Sequence, residues 1–148
     1  MLQTAITLRV TAPARDTARV SVRRNQFSVG RPVEFDSPSP RVAVVEYALG
    51  AVGGEIVNGL CEFARRRRLE IDAIEASVIG ELDHELTYLE VIGESGEPRI
   101  SKVSIKVFIA SSDELVVRAL FDHMLDRLPL FCTLRASVHL TTELIFTS

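Results

Sequence analysis

Tryptophan is absent from this chain and aromatic residues make up only 6% of it, so a stacking platform for bases or sugars is not expected. Cysteine is nearly as scarce. Cys61 and Cys132 are the two thiols, at no metal or redox spacing, and they suit a reducing cytoplasm. The N-terminus is polar and lacks the apolar stretch of a secretory signal. GxSxG, HExxH, P-loop and GxGxxG motifs are all missing. An excess of one charge is missing too. Seventeen Lys and Arg against twenty Asp and Glu give a net charge of −3, with no general pull toward nucleic acid or anionic membrane. His84, His123 and His139 stand at no metal-ligand spacing, and neither a metal nor a cofactor is expected.

What the chain does have is one dominant run, VAVVEYALGAVGGEIVNGLCEFARRRR, from Val42 to Arg68. It is too long for an ordinary strand and does not alternate, so it reads as a long buried helix. A membrane span is the rival reading. Glu46, Glu55 and four glycines argue against it, as does the ordinary globular composition of the remainder. The face through Glu46, Gly50, Gly53 and Val57 is flat, which invites another backbone to approach. That face is expected to meet a partner subunit, and a bulky residue at Gly53 to block assembly. Arg65 to Arg68 read as a solvated helix end favoured by the macrodipole, with phosphate binding as the alternative. Cys61, on the apolar helix, reads as an inert buried thiol, and Cys132 as more accessible.

Taken in order, residues 3–10 and 18–23 alternate as strands, with a turn from Ala12 to Asp16 and a hairpin corner near Asn25 before Phe27 and Val29. Ser37 to Pro40 form a rigid lead-in to the long helix. Residues 71–82 read as a strand, 85–92 as a weaker one, and 100–109 as the clearest, with Val103, Ile105, Val107 and Ile109 inward. Ser111 with Glu114 resembles a capping box opening a helix that Pro129 ends. Its inward row is predicted as Leu115, Val116, Ala119, Leu120, Met124 and Leu128. Residues 135–147 close the chain as a strand. Strands and helices do not alternate as βαβ units, which predicts one α+β domain over residues 1–148 with mainly antiparallel sheets.

Three stretches carry a resemblance: VSVRRNQFSVGRPVEF; then VVEYALGAVGGEIVNGLCEFARRRRLEIDAIEASVIGELD; and SSDELVVRALFDHMLDRLPLFCTL before the last strand. Together they resemble the OsmC/Ohr family of peroxide-defence proteins, most specifically in VEYALGAVGG. The resemblance implies an intertwined α+β homodimer with two long helices at its centre. In active members a peroxidatic cysteine follows the small pair, and a second cysteine precedes the proline after the next helix. The first thiolate attacks an organic hydroperoxide, the second thiol closes a disulfide, and a dithiol reductant reopens it.

Here those two positions hold Glu55, after Gly53-Gly54, and Leu128, before Pro129. The glutamate that stands ten residues before the cysteine falls on Val45, with Glu46 next to it, and Arg23 or Arg24 takes the place of the early-strand arginine. A carboxylate forms neither a sulfenic acid nor a disulfide, so that cycle cannot run through Glu55. The expectation is a non-peroxidase relative whose candidate pocket (Arg23, Arg24, Glu46, Glu55 and Cys132) takes a small apolar ligand at the dimer interface. Residual peroxidase chemistry through Cys132 and a purely structural dimer are the alternatives. In the ligand reading Glu55 meets a polar group or pairs with Arg23 or Arg24 of the other subunit. In the structural reading it only closes an ion pair.

Overall fold

The structure, a computed structural model, describes residues 1–35 and 39–147. It divides into two compact units, Met1–Ala48 and a second from Leu49 onward. Ser37 and Pro38 of the expected lead-in lie outside the described residues.

In the first unit, β1 (Arg9–Ala14), β2 (Thr17–Val22) and β3 (Asn25–Val29) form an antiparallel sheet in that order. The first strand starts later than the alternation of residues 3–10 indicates. A turn at Arg15 and Asp16, with Asp16 at φ 59°, sets the register Arg9↔Ser21 and Ala14↔Thr17. Ile6 and Leu8 therefore precede the strand. Pro13, expected in a turn, sits in β1, an edge strand of this three-stranded sheet, where a missing N–H disturbs the ladder least. Helix α1 (Val44–Arg66) begins in this unit. Its first N–H groups are not left bare: Val44 and Val45 donate to the carbonyls of Arg31 and Pro32, at 3.0 and 3.2 Å.

The second unit holds β4 (Ala73–Asp83), the short α2 (Glu85–Tyr88), β5 (Arg99–Ala110), α3 (Glu114–Leu125), α4 (Pro129–Leu134) and β6 (His139–Phe146). Strand order is β4-β5-β6, with β4 antiparallel and β6 parallel to β5. The parallel pair corrects one expectation. A parallel neighbour needs a crossover, and α3 with α4 supply it, so β5–α3–α4–β6 is a βαβ unit inside a mainly antiparallel fold. Val103, Ile105, Val107 and Ile109 are buried, as their alternation predicts. Over them lie Val52, Ile56 and Leu60 of α1 and Val117, Phe121 and Met124 of α3. Each large side chain so buried contributes about 1.5–3 kcal/mol.

Several sequence expectations shift here. Residues 85–92 are not a strand: His84 takes φ 56°, and the helical bond Leu89 N–H to Glu85 O, 3.3 Å, follows. The cap of α3 is Asp113, which accepts the Val116 N–H at 3.3 Å, while Ser111 Oγ donates to the Glu70 carbonyl. The inward row of α3 is Val117, Leu120, Phe121 and Met124. Leu115 is 83% exposed, and Val116 and Ala119 face outward with it. Two apolar stripes share this helix, and the one carrying Phe121 and Met124 takes the core. The helix ends at Leu125, and Pro129 opens α4 instead of closing α3. Residues 135–138 form a turn, with Ser137 and Val138 N–H bonded to Leu134 O.

By length and composition α1 is apolar enough to cross a membrane, and 28% of its most apolar window is buried. The buried row Val52, Gly53, Ile56, Leu60 and Ala64 belongs to the core of the second unit. This also corrects the role of Gly53. A methyl group placed on it would lie 2.8 Å from Val78 Cγ2 of β4, so its flatness serves the chain's own sheet, whereas Gly50 and Gly54 face open space. Gly53→Leu is accordingly expected to destabilise the chain itself by about 1–3 kcal/mol through overpacking, measured as a lowered urea midpoint. An unchanged midpoint would show that α1 does not need this close approach.

Candidate functional site

Helix α4 is built without a cap of its own. Leu128, at its N-cap, has no side-chain acceptor, and Pro129 at N1 has no N–H to satisfy. The next two amides, Leu130 and Phe131, are orphan donors beside the core. Glu55 of α1 answers both. Its Oε1 accepts the Leu130 N–H and its Oε2 the Phe131 N–H, each at 2.8 Å. Both oxygens of one half-buried carboxylate thus cap a helix 75 and 76 positions further along the chain. Charge-assisted bonds of this kind are roughly twice as strong as neutral ones.

Leu128 is fixed on the same side of α1. It is buried, and with Met124 it packs where Gly59 leaves room: a methyl group there would lie 2.9 Å from Leu128 Cδ2 and from Met124 Sδ. Its carbonyl accepts the Cys132 N–H at 2.9 Å, the first turn of α4. The structure therefore draws together the segments around the two positions where the resemblance expects cysteines, and joins them by amide-to-carboxylate bonds.

The other candidates each lie within their own unit. Glu46 Oε2 accepts the Ala43 N–H at 2.7 Å and so caps the start of α1. Arg23 and Arg24 form the exposed β2–β3 turn of the first unit, with Arg23 at φ 54°. Within the chain, the Glu55 carboxylate is met by backbone N–H groups. Cys132 is half-buried, its Sγ 3.5 Å from the Leu125 carbonyl. Nearby, Arg135 donates to Asp126 at 2.7 Å, which holds the Asp126 carboxyl below its ordinary range. Among the described residues no three His, Cys, Asp or Glu side chains converge as metal ligands do.

Cys61 reverses its expectation. It is exposed, because Leu60 and Ala64 take the core side of that turn. It borders an open groove of about 620 Å³ lined by apolar Val57, Leu69, Ile71 and Ile74 and by charged Arg65, Glu70 and Asp72. The arginine run lies at the end of the same helix. Arg65 and Arg66 each reach Glu62 at 2.9 Å and lower its carboxyl to about 2. Arg66 and Arg67 lie over the Phe63 ring, at 5.2 and 5.6 Å.

Sequence reasoning found Glu55 as the residue to explain but missed its partner. The available signal was at Leu128-Pro129: a helix start with no Ser, Thr, Asp or Asn in the cap position must take its acceptor from elsewhere. A Glu55→Gln protein keeps one acceptor oxygen and loses the charge, and it is expected to be less stable by about 1.5–3 kcal/mol. Glu55→Ala, losing both bonds, should be worse. Chemical denaturation of the three proteins tests this order, and equal stability of all three would remove the cap from the account.

No family model and no curated protein matches the sequence. Solved structures do match the fold. An OsmC-like protein from Mycoplasma pneumoniae superposes with a TM-score of 0.80 at 10% identity, over 99% of this chain and 100% of that one. The organic hydroperoxide resistance protein OsmC from Legionella pneumophila gives 0.71 at 10% identity, over 97% and 99%. The organic hydroperoxide resistance protein OhrB of Bacillus subtilis gives 0.66 at 17% identity, over 93% and 97%. The chain therefore has the OsmC/Ohr fold.

Proposed function

We propose that this chain is a single-domain, OsmC/Ohr-like protein of oxidative-stress defence that has given up thiol peroxidase chemistry and works as a cytoplasmic homodimer. The observation that carries this reading is the Glu55 carboxylate bonded to the Leu130 and Phe131 amides. At the place where the resemblance expects a peroxidatic thiol stands a group with no redox chemistry, and both its oxygens are engaged. Leu128, at the second position, is a buried hydrocarbon. Cys132 is a poor substitute, since its thiol lies against the Leu125 carbonyl and the other cysteine, Cys61, is on the groove side of α1.

What remains for function is surface. The uncovered side of α1, with Gly50, Ala51, Gly54 and Cys61 exposed, supports a partner subunit. The groove lined by Val57, Cys61 and Ile74 supports binding of a small apolar molecule beside that partner. Glu55 then acts by holding the scaffold, and the ligand is recognised by shape and apolar area.

Two measurements check this reading. With cumene hydroperoxide and a dithiol reductant, the protein should consume peroxide no faster than an equal concentration of free thiol. Rapid turnover, abolished by Cys132→Ser, would restore the peroxidase alternative. In sedimentation at micromolar concentration the protein should run as a dimer, and a folded monomer would leave the exposed side of α1 unexplained.

A further inference from the structure

Two surfaces of the second unit have the same composition problem and opposite charge. The first is the connection between β4 and β5. Its bonded turns, Leu89 N–H to Glu85 O and Glu94 N–H to Val91 O, hold Leu89, Val91 and Ile92 out in solvent, Ile92 at 99% exposure. Between residues 83 and 98 there are five carboxylates, Asp83, Glu85, Glu90, Glu94 and Glu97, and no lysine or arginine. The second is a groove of about 440 Å³ bounded by Leu115, Val116, Ala119 and Leu120 of α3, with Arg67 and His123 at its edge. Arg127 joins that edge, donating to the His123 carbonyl at 2.9 Å. Desolvation, then Arg127 and Arg67, push the His123 imidazole below its ordinary pKa, against the Asp126 carboxylate, which raises it. Among the described ion pairs none involves Arg67 or Arg127.

One chain cannot join its own two surfaces. Strand β5 pairs with β4 from Asp83↔Arg99 at the acidic end to Ala73↔Ala110 at the end from which α3 departs. Twelve residues of strand separate those ends by about 36 Å. An acidic, apolar tip and a basic, apolar groove are complementary in both respects, and they sit at opposite ends of one sheet. Two copies related by a two-fold axis, with their sheets running in opposite directions, bring each tip to the other's groove and satisfy both contacts at once.

We propose that Val91 and Ile92 of one copy dock into the Leu115–Val116–Ala119 groove of a second copy, with Glu90 and Glu94 facing Arg67 and Arg127. The contact rests on the homodimer reading above and adds to it a second contact, apart from the exposed side of α1. Apolar contact supplies the adhesion, and the charges fix which end meets which.

The test uses the full chain with both native thiols replaced by serine. Two differently tagged copies are co-expressed, one carrying Ile92→Cys and the other Ala119→Cys, and treated with a short bis-maleimide. Each copy has one thiol, so only a contact between chains yields a product bearing both tags. That product is expected, and it should not form when Ser104→Cys, on the opposite sheet face, replaces Ala119→Cys. Arg67→Glu should weaken association by about tenfold, a change of about 1.4 kcal/mol, and Glu90→Arg in the other copy should restore it. A dimer that sediments normally yet gives no doubly tagged product overturns this contact alone. A protein that sediments as a monomer overturns both the contact and the homodimer reading.

Discussion

The bond between the Glu55 carboxylate and the first free amides of α4 is the constraint on which the second unit depends. Nothing local ends the loop after α3 in a helix: Leu128 offers no acceptor and Pro129 no donor. Two unpaired N–H groups next to buried Phe131 would each cost about 1–3 kcal/mol. With Glu55 in place, α4 is held to α1, and Leu128 and Phe131 enter the core with Met124 and Leu60. The chain then leaves α4 in position for β6 to lie beside β5. One side chain thereby links the long helix, the crossover and the last strand.

That arrangement changes the chemistry available at the same place in the fold. A pair of thiols there would be a switch, opened and closed by the redox poise of the surroundings. A carboxylate on two amides is indifferent to oxidants and reductants. It joins the two segments through two hydrogen bonds. Structures with 10–17% identity to this chain share its fold, which fits a core set by apolar area and close approach at Gly53 and Gly59 more than by any particular side chain at position 55.

The sequence was most legible where one physical demand acted alone. Strand β5 has one face in the core, so Val103, Ile105, Val107 and Ile109 alternate without ambiguity, and α1 is long enough to be read from length and composition. It was least legible where two answers were locally equivalent. On α3 the stripes Leu115–Val116–Ala119 and Val117–Phe121–Met124 are both apolar, and only the position of the sheet chooses between them. Cys61 stands one residue from buried Leu60, and a step of about 100° around the helix separates core from groove. Residues 85–92 have strand composition, yet the left-handed turn at His84 breaks the ladder. Of the site, Glu55 was legible as an unusual residue on an apolar helix. Its partners were not, because the uncapped start at Leu128-Pro129 shows that an acceptor is needed and not which side chain supplies it.

The parallel pairing of β6 has a consequence for how the molecule comes into being. β4 and β5 are neighbours in sequence and can zip as a hairpin, but β6 reaches Lys102 and Ile109 only after residues 111–138 have folded back across the sheet. Closing that long loop is costly in chain entropy before any contact returns it. Until residues 139–146 have emerged from a ribosome and folded back, β5 carries an open edge. During that interval the edge from Lys102 to Ile109 is available to any other strand in reach.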